Sequence, residues 1–218
     1  MPKTARLLPA YLMTRMKGWR ATEFTENKAW YAALAEHGQH PRAMVISCCD
    51  SRVEPQRIFG ADAGEFFIVR NVANLVPPFT PNDDHHGTSA AIEYAVKHLG
   101  VAHIVVIGHS SCGGVAACHA MCSGHAPEFE EKDSFIGRWI DILRPGFQAI
   151  KERNLPEEEE LTAMEQQGVR VSLQNLTTYP FVADALEAGR LTIHGVWFEI
   201  GTGRMMAFDG EAQAFQPI

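Results

Sequence analysis

Ile104-Val105-Val106-Ile107-Gly108-His109-Ser110-Ser111-Cys112-Gly113-Gly114 decides how this chain folds. Four apolar residues, all of them β-branched and too few for a helix, read as a fully buried strand. Gly108 to Gly114 then turns into a second periodic stretch, a helix over Gly113 to Met121. Two further short runs share the first signature: Ala43-Met44-Val45-Ile46-Ser47 and Phe66-Phe67-Ile68-Val69. All three read as fully buried strands. Between the second and third, Ser89 to Leu99 places Ile92, Ala95, Val96 and Leu99 at helical spacing, and Gly100 supplies the stop. A strand, crossover helix, strand unit results.

The rest of the chain extends the same architecture. Residues 4–38 read as one or two helices with an apolar stripe that includes Trp30 and Leu34, ended by Gly38. Ser134 to Ile150 is helical in pattern. Pro156 followed by Glu157 to Glu160 starts another helix, because carboxylates favour the positive end of the dipole, and this helix runs towards Tyr179-Pro180. Leu191 to Ile200 and Met205 to Phe208 flank Gly201-Thr202-Gly203-Arg204 and read as a hairpin. The expectation is an α/β fold: a mainly parallel β-sheet flanked by helices, with an antiparallel edge strand near the C-terminus. Residues 1–218 form one such domain, with 1–38 as an N-terminal helical extension.

Composition narrows the function classes. With 218 residues, 46% hydrophobic and 21% charged, usage is that of an ordinary globular chain. A net charge of −7 argues against binding to a phosphate backbone, so no nucleic acid partner is expected. No apolar run reaches the roughly 18 residues of a bilayer span, and the N-terminus lacks the apolar core of a signal peptide, so no membrane partner and a cytoplasmic location are expected. Five cysteines, an odd number, suit metal or thiol chemistry in a reducing compartment better than disulfides.

Chemistry concentrates at two strand ends. Cys48 lies just past the first apolar run, and His109 and Cys112 just past the third. Ligands collect beyond the carboxyl ends of parallel strands, so the three can meet although far apart in sequence. Two thiolates and an imidazole are a zinc set with the fourth position open, the pattern of a catalytic site. Cys49-Asp50-Ser51-Arg52 then places a carboxylate and a guanidinium beside one ligand. Asp50 could close the metal site. An arginine that grips it bidentately would instead hold it off the metal and aim it at water, and this second role is the expected one, with Arg52 in a buried pair.

Other candidates read as structural. Cys49 should point to the opposite face of the strand from Cys48 and bury elsewhere. Cys118, His119 and Cys122 repeat a ligand spacing but lack companions, so small thiols on a helix are expected there. His85-His86 follows Asn82-Asp83-Asp84 and reads as a solvated loop before it reads as a proton shuttle. Gly108-x-Ser110 begins like the elbow of a serine hydrolase, but Cys112 stands where that motif needs glycine.

Cys48-x-Asp50-Ser51-Arg52 followed by His109-x-x-Cys112 resembles the β-class carbonic anhydrases, and the likeness extends through Arg70-Asn71-Val72-Ala73-Asn74 and Ala91-Ile92-Glu93-Tyr94-Ala95. It covers roughly residues 35 to 208. The resemblance implies Zn2+ held by Cys48, His109 and Cys112, with Asp50 and Arg52 as the catalytic dyad that orients a zinc-bound hydroxide. The implied reaction is reversible hydration of carbon dioxide to bicarbonate and a proton: a carbonate dehydratase, a zinc lyase. It further implies that Gln39, Phe67, Val72, Tyr94 and Gly113 bind substrate, as in the plant-like subgroup. Another subgroup carries tryptophan three residues before the first zinc cysteine, in a noncatalytic bicarbonate site; Val45 stands there in this chain, and the resemblance therefore gives no support for that site. The family's habit of pairing through N-terminal helices implies a homo-oligomer built from dimers, with residues 1–38 packed on a partner subunit.

Overall fold

The computed structural model describes residues 8–81 and 86–218, of His86 the backbone alone. The chain divides into two compact units, Met1–Gln39 and His40–Ile218. The first holds three helices rather than one or two: α1 (Ala10–Ala21), α2 (Glu23–Glu26) and α3 (Lys28–His37). Aromatic rings hold this unit together, with Trp19 5.4 Å from Phe24 and 5.7 Å from Tyr31 by ring centroids. None of its helices contains a buried residue. Of the expected apolar stripe, Leu34 is half-buried and Trp30 48% exposed.

The second unit is built on a six-stranded sheet in the order β2-β1-β3-β4-β5-β6. Its strands are β1 (Ala43–Cys48), β2 (Phe66–Asn71), β3 (His103–His109), β4 (Thr192–Phe198), β5 (Met205–Asp209) and β6 (Ala214–Pro217). The first four run parallel; β5 and β6 are added antiparallel. The expected α/β class holds. β1 is buried at every position, as a central strand covered on both faces should be. β2 departs from expectation: all six residues are half-buried, because it is the edge of the sheet. β6 also departs from expectation, having no apolar run to announce it.

Helices α4 (Pro55–Phe59), α5 (His86–Glu93), α6 (Gly113–Cys122), α7 (Phe135–Ile140), α8 (Arg144–Lys151), α9 (Glu157–Leu176) and α10 (Pro180–Glu187) complete the unit. α5 widens into a π-helical turn over Tyr94–Leu99 before Gly100 ends it. The single helix expected over Ser134 to Ile150 is broken into α7 and α8 by a short turn at Asp141–Leu143, ahead of Pro145. No described helix is long and apolar enough to cross a membrane.

α9 lies against β3 and β4 where glycines let it approach. A Cβ on Gly108 would meet Val169 Cγ2 at 2.5 Å, and one on Gly195 would meet Val169 Cγ1 at 2.7 Å. Gly108→Ala is accordingly expected to cost about 1–3 kcal/mol by overpacking. Urea unfolding checks it; wild-type stability in that variant would mean that α9 does not rest on β3.

Candidate metal centre

β1 and β3 are neighbours in register, with Ser47 opposite Ile107, so both strands end at the same level of the sheet. Cys48 is the last residue of β1 and His109 the last of β3; both sit within their strands and not beyond them, a correction of one residue in β1 and two in β3. The chain then turns through Ser110 and Ser111, the latter at φ 56°, and Cys112 caps α6. Two strand ends and a helix start thus deliver three donors to one point.

The geometry is that of a ligand set. The Cys48, His109 and Cys112 donor atoms all lie within 4.8 Å of one another, and all three residues are buried. The two sulfurs are 3.9 Å apart. Tetrahedral zinc with bonds of about 2.3 Å to sulfur separates two thiolates by about 3.8 Å. His109 Nδ1 donates to the Ser110 carbonyl at 2.9 Å, which fixes the tautomer and leaves Nε2 with a lone pair. That Nε2 is buried and has no hydrogen-bond partner. A buried ring nitrogen without a partner is costly unless something accepts its lone pair, and a cation between the two sulfurs would. The donor set fits zinc. Among the described residues no other group of three or more His, Cys, Asp or Glu side chains converges in this way.

The electrostatics favour a thiolate at Cys48. The sulfurs share one proton: the Cys48 thiol is lowered to about 4, first by the hydrogen bond from Cys112, while Cys112 is raised by the same bond and by burial. Burial opposes charge on His109, but the Cys48 sulfur and the Ser110 carbonyl outweigh it and raise its pKa.

Asp50 and Arg52 form the expected fork. Arg52 Nε donates to Oδ1 at 2.9 Å and Nη2 to Oδ2 at 2.6 Å, while the Arg52 backbone N–H adds a third bond to Oδ1 at 3.0 Å. These hydrogen bonds hold the carboxyl far below the usual carboxylate range. Arg52 Nη2 also donates to the Ser111 carbonyl at 3.0 Å, tying the dyad to the loop that carries Cys112. The pair is not buried as expected: the Arg52 side chain is 50% exposed and that of Asp50 16%. Solvent can reach one side of it.

Two further residues brace the centre, and the sequence reading gave neither a role. Arg70 Nε donates to the Cys48 carbonyl at 2.9 Å, and Nη2 to the Asp50 and Val53 carbonyls at 2.7 Å each. Its sequence signal is a cation directly after the apolar run Phe66 to Val69. Glu165, only 5% exposed on α9, accepts from the Cys112 N–H at 3.1 Å and from Trp197 Nε1 at 3.2 Å. Burial raises its pKa. Its signal is position: it precedes buried Gly168 and Val169 by three and four residues, on the inward stripe of the helix.

The substrate-binding candidates separate. Val72 packs in the apolar cluster that contains Cys48 and Cys112, and its Cγ1 lies 2.5 Å from where a Cβ on Gly114 would stand. Gly113 follows Cys112 as the first residue of α6. Phe67 and Tyr94 meet each other, with ring centroids 5.8 Å apart. Phe67, however, packs against the other apolar cluster, four residues along β2 from the Asn71 that pairs with Cys48. That is about 13 Å of strand. One chain therefore does not bring Phe67 and Tyr94 to the metal ligands. Gln39 closes the N-terminal unit.

The remaining candidates resolve simply. Cys49 is exposed, not buried, and takes no part in the cluster. Cys118 and Cys122 are free thiols with sulfurs 3.9 Å apart, and His119 turns instead to Glu160 at 2.9 Å. Ser110 Oγ accepts from the Ile200 N–H at 2.9 Å, a structural bond joining β3 to the end of β4. His85 and the His86 side chain lie outside the described residues.

Comparison with known proteins gives a consistent result. The carbonic anhydrase family profile matches residues 43–205. Beta carbonic anhydrase 3 of Arabidopsis thaliana is 38% identical over 187 residues, 85% of this chain and 70% of the relative. The carbonic anhydrase of Helicobacter pylori strain J99 is 33% identical over 205 residues, 92% and 90% of the two chains. Among solved structures, the beta-carbonic anhydrase CcaA superposes with a TM-score of 0.85 at 30% identity, covering 95% of this chain and 91% of that one. One of two tetrameric beta-carbonic anhydrases from Sordaria macrospora gives 0.74 at 31% identity, covering 90% and 94%. With a matched profile that spans all three metal-ligand candidates and both members of the dyad, this chain belongs to the carbonic anhydrase family, in its β class.

Proposed function

We propose that this carbonic anhydrase, of the plant-like subgroup, hydrates carbon dioxide reversibly at a zinc ion held by Cys48, His109 and Cys112, with Asp50 fixed by Arg52 to orient the attacking water. The observation that carries the proposal is the convergence of two sulfurs and an unpartnered imidazole nitrogen at one buried point. When bound, zinc supplies Lewis acidity that brings the pKa of coordinated water to about 7.

The chain's own residues do the rest. Asp50 keeps its charge, so it accepts a hydrogen bond from water and donates none. Arg52 occupies both of its oxygens from one side and prevents the carboxylate from swinging onto the metal. Arg70 fixes the carbonyls of Cys48 and Asp50, and so the distance between ligand and dyad. Val72, with Phe67, Tyr94 and an amide from Gln39, would form a small apolar chamber suited to a substrate without a net dipole. Because Phe67 and Tyr94 stand away from the ligands of their own chain, we place them in the site of a second copy. Three N-terminal helices without a buried residue, and Tyr11 and Trp30 at 61% and 48% exposure, support an assembly in which this unit covers a partner. The tetrameric state of the Sordaria macrospora relatives supports assembly as well.

The test is stopped-flow hydration of carbon dioxide on protein of measured metal content, before and after chelation. About one zinc per chain and activity that falls in proportion to zinc removed are expected. Full activity in metal-free protein would reject the proposal. Zinc without activity would leave a storage protein in its place.

A further inference from the structure

Arg153 and Arg170 face a cleft of about 470 Å³ on the far side of α9 from Glu165, together with Gln166, Gln167, Gln213 and Phe215. No acidic side chain lines it. The chain's net charge is −7, so a cleft lined by cations without a carboxylate differs in sign from the chain as a whole. Arg52, Arg70, Lys97, Arg144, Lys151 and Arg204 are all in ion pairs. Among the described residues neither Arg153 nor Arg170 forms one.

The two cations are presented differently. Arg170 is held in place: Nη2 donates to Gln213 Oε1 at 3.2 Å, and the guanidinium lies 5.3 Å from the Phe208 ring centroid. Its acceptor is neutral, so its charge stays uncompensated. Gln213 is itself pinned, with Nε2 donating to the Gly210 carbonyl at 2.6 Å and its backbone in the left-handed region at φ 53°. That conformation is costly for glutamine, and it aims the side chain at Arg170. Arg153 follows α8 on the opposite wall and is exposed. Two guanidinium forks, carboxamide donors and a cavity within the 300–1,000 Å³ range of small-ligand sites make a receptor for oxygen-bearing anions.

We propose that this cleft binds a small dianionic oxyanion, a phosphate or a dicarboxylate, at a site separate from the metal centre. Guanidinium forks match the paired oxygens of both groups, and the Gln167 carboxamide in the same lining can donate to an oxygen left over.

Isothermal titration of the metallated protein at constant ionic strength, with inorganic phosphate in one series and succinate in another, tests this. Saturable binding of at least one probe below about 10 mM is expected, and the stronger probe identifies the class. Arg153→Gln and Arg170→Gln should each weaken it about tenfold or more. Arg153 is exposed and carries no packing, so its variant stays folded even if Arg170→Gln disturbs the contact with Phe208. Absence of saturation in the wild type would overturn the proposal. So would wild-type isotherms in Arg153→Gln, which would place the anion elsewhere, the metal centre included.

Discussion

Cys48→Ala is expected to purify as a folded protein that has lost zinc and carbon dioxide hydration together. Cys48 is 5% exposed, and its sulfur lies 3.9 Å from that of Cys112. Removing it leaves one thiol and one imidazole, two donors where a catalytic zinc site needs three. Loss of a residue that merely orients a ligand costs 10–100-fold, so deletion of a ligand should exceed about 100-fold in metal affinity and abolish hydration at ordinary zinc concentrations. The fold should survive, because β1 is held by β2 and β3 on both sides. Metal analysis, circular dichroism and stopped-flow rates on one preparation read all three quantities. Cys48→Ser, nearly the same size, separates ligand loss from cavity formation. Retained zinc and activity in either variant would remove Cys48 from the ligand set.

That expectation could be written from sequence because the ligands sit at the ends of two short apolar runs. β1 and β3 are central strands, the first buried throughout and the second buried except at His103 and Val105, so composition and position agree and nothing competes with the strand reading. The same signature misleads at β2. Phe66 to Val69 is as apolar as β1, but the run contains no information about which strand is outermost, and the edge leaves all of it half-buried. Ala214–Pro217 is the converse case: it pairs with β5 and sets Phe215 against Phe208, but one aromatic in four residues makes no pattern to read. The site divides likewise. Cys48, Asp50, Arg52, His109 and Cys112 are local motifs, whereas Glu165 reaches Cys112 across 53 residues of sequence and is visible only once α9 is laid on β3. Phe67 and Tyr94 were named by resemblance alone; their separation from the ligands is a property of the strand register, which no motif records.

Asp50→Asn is the sharper test of mechanism, because it should leave the metal and remove the rate. The Asp50 carboxylate takes three hydrogen bonds from Arg52, two from the guanidinium and one from the backbone. An amide keeps one acceptor oxygen but turns the other into a donor that faces an arginine, which only donates. The fork breaks: the amide oxygen can still accept from Arg52 Nε and the backbone N–H, but Nη2 loses its carboxylate partner and keeps its bond to the Ser111 carbonyl. Cys48, His109 and Cys112 are untouched, so zinc content should match the wild type. Two thiolates already offset the formal charge of zinc, which makes the metal a weaker Lewis acid and leaves more of the work to the group that aligns the water. A loss of about 100-fold or more in kcat/KM is expected, at the upper end for a group that acts by orienting a metal-site water. Arg52→Gln tests the same idea from the other side, since Asp50 would then be free to turn towards the metal; it should also keep zinc and lose activity. Wild-type rates in Asp50→Asn with full zinc would show that water is aligned by something other than this carboxylate. Loss of zinc with activity would make Asp50 part of the metal's support rather than its partner in the reaction.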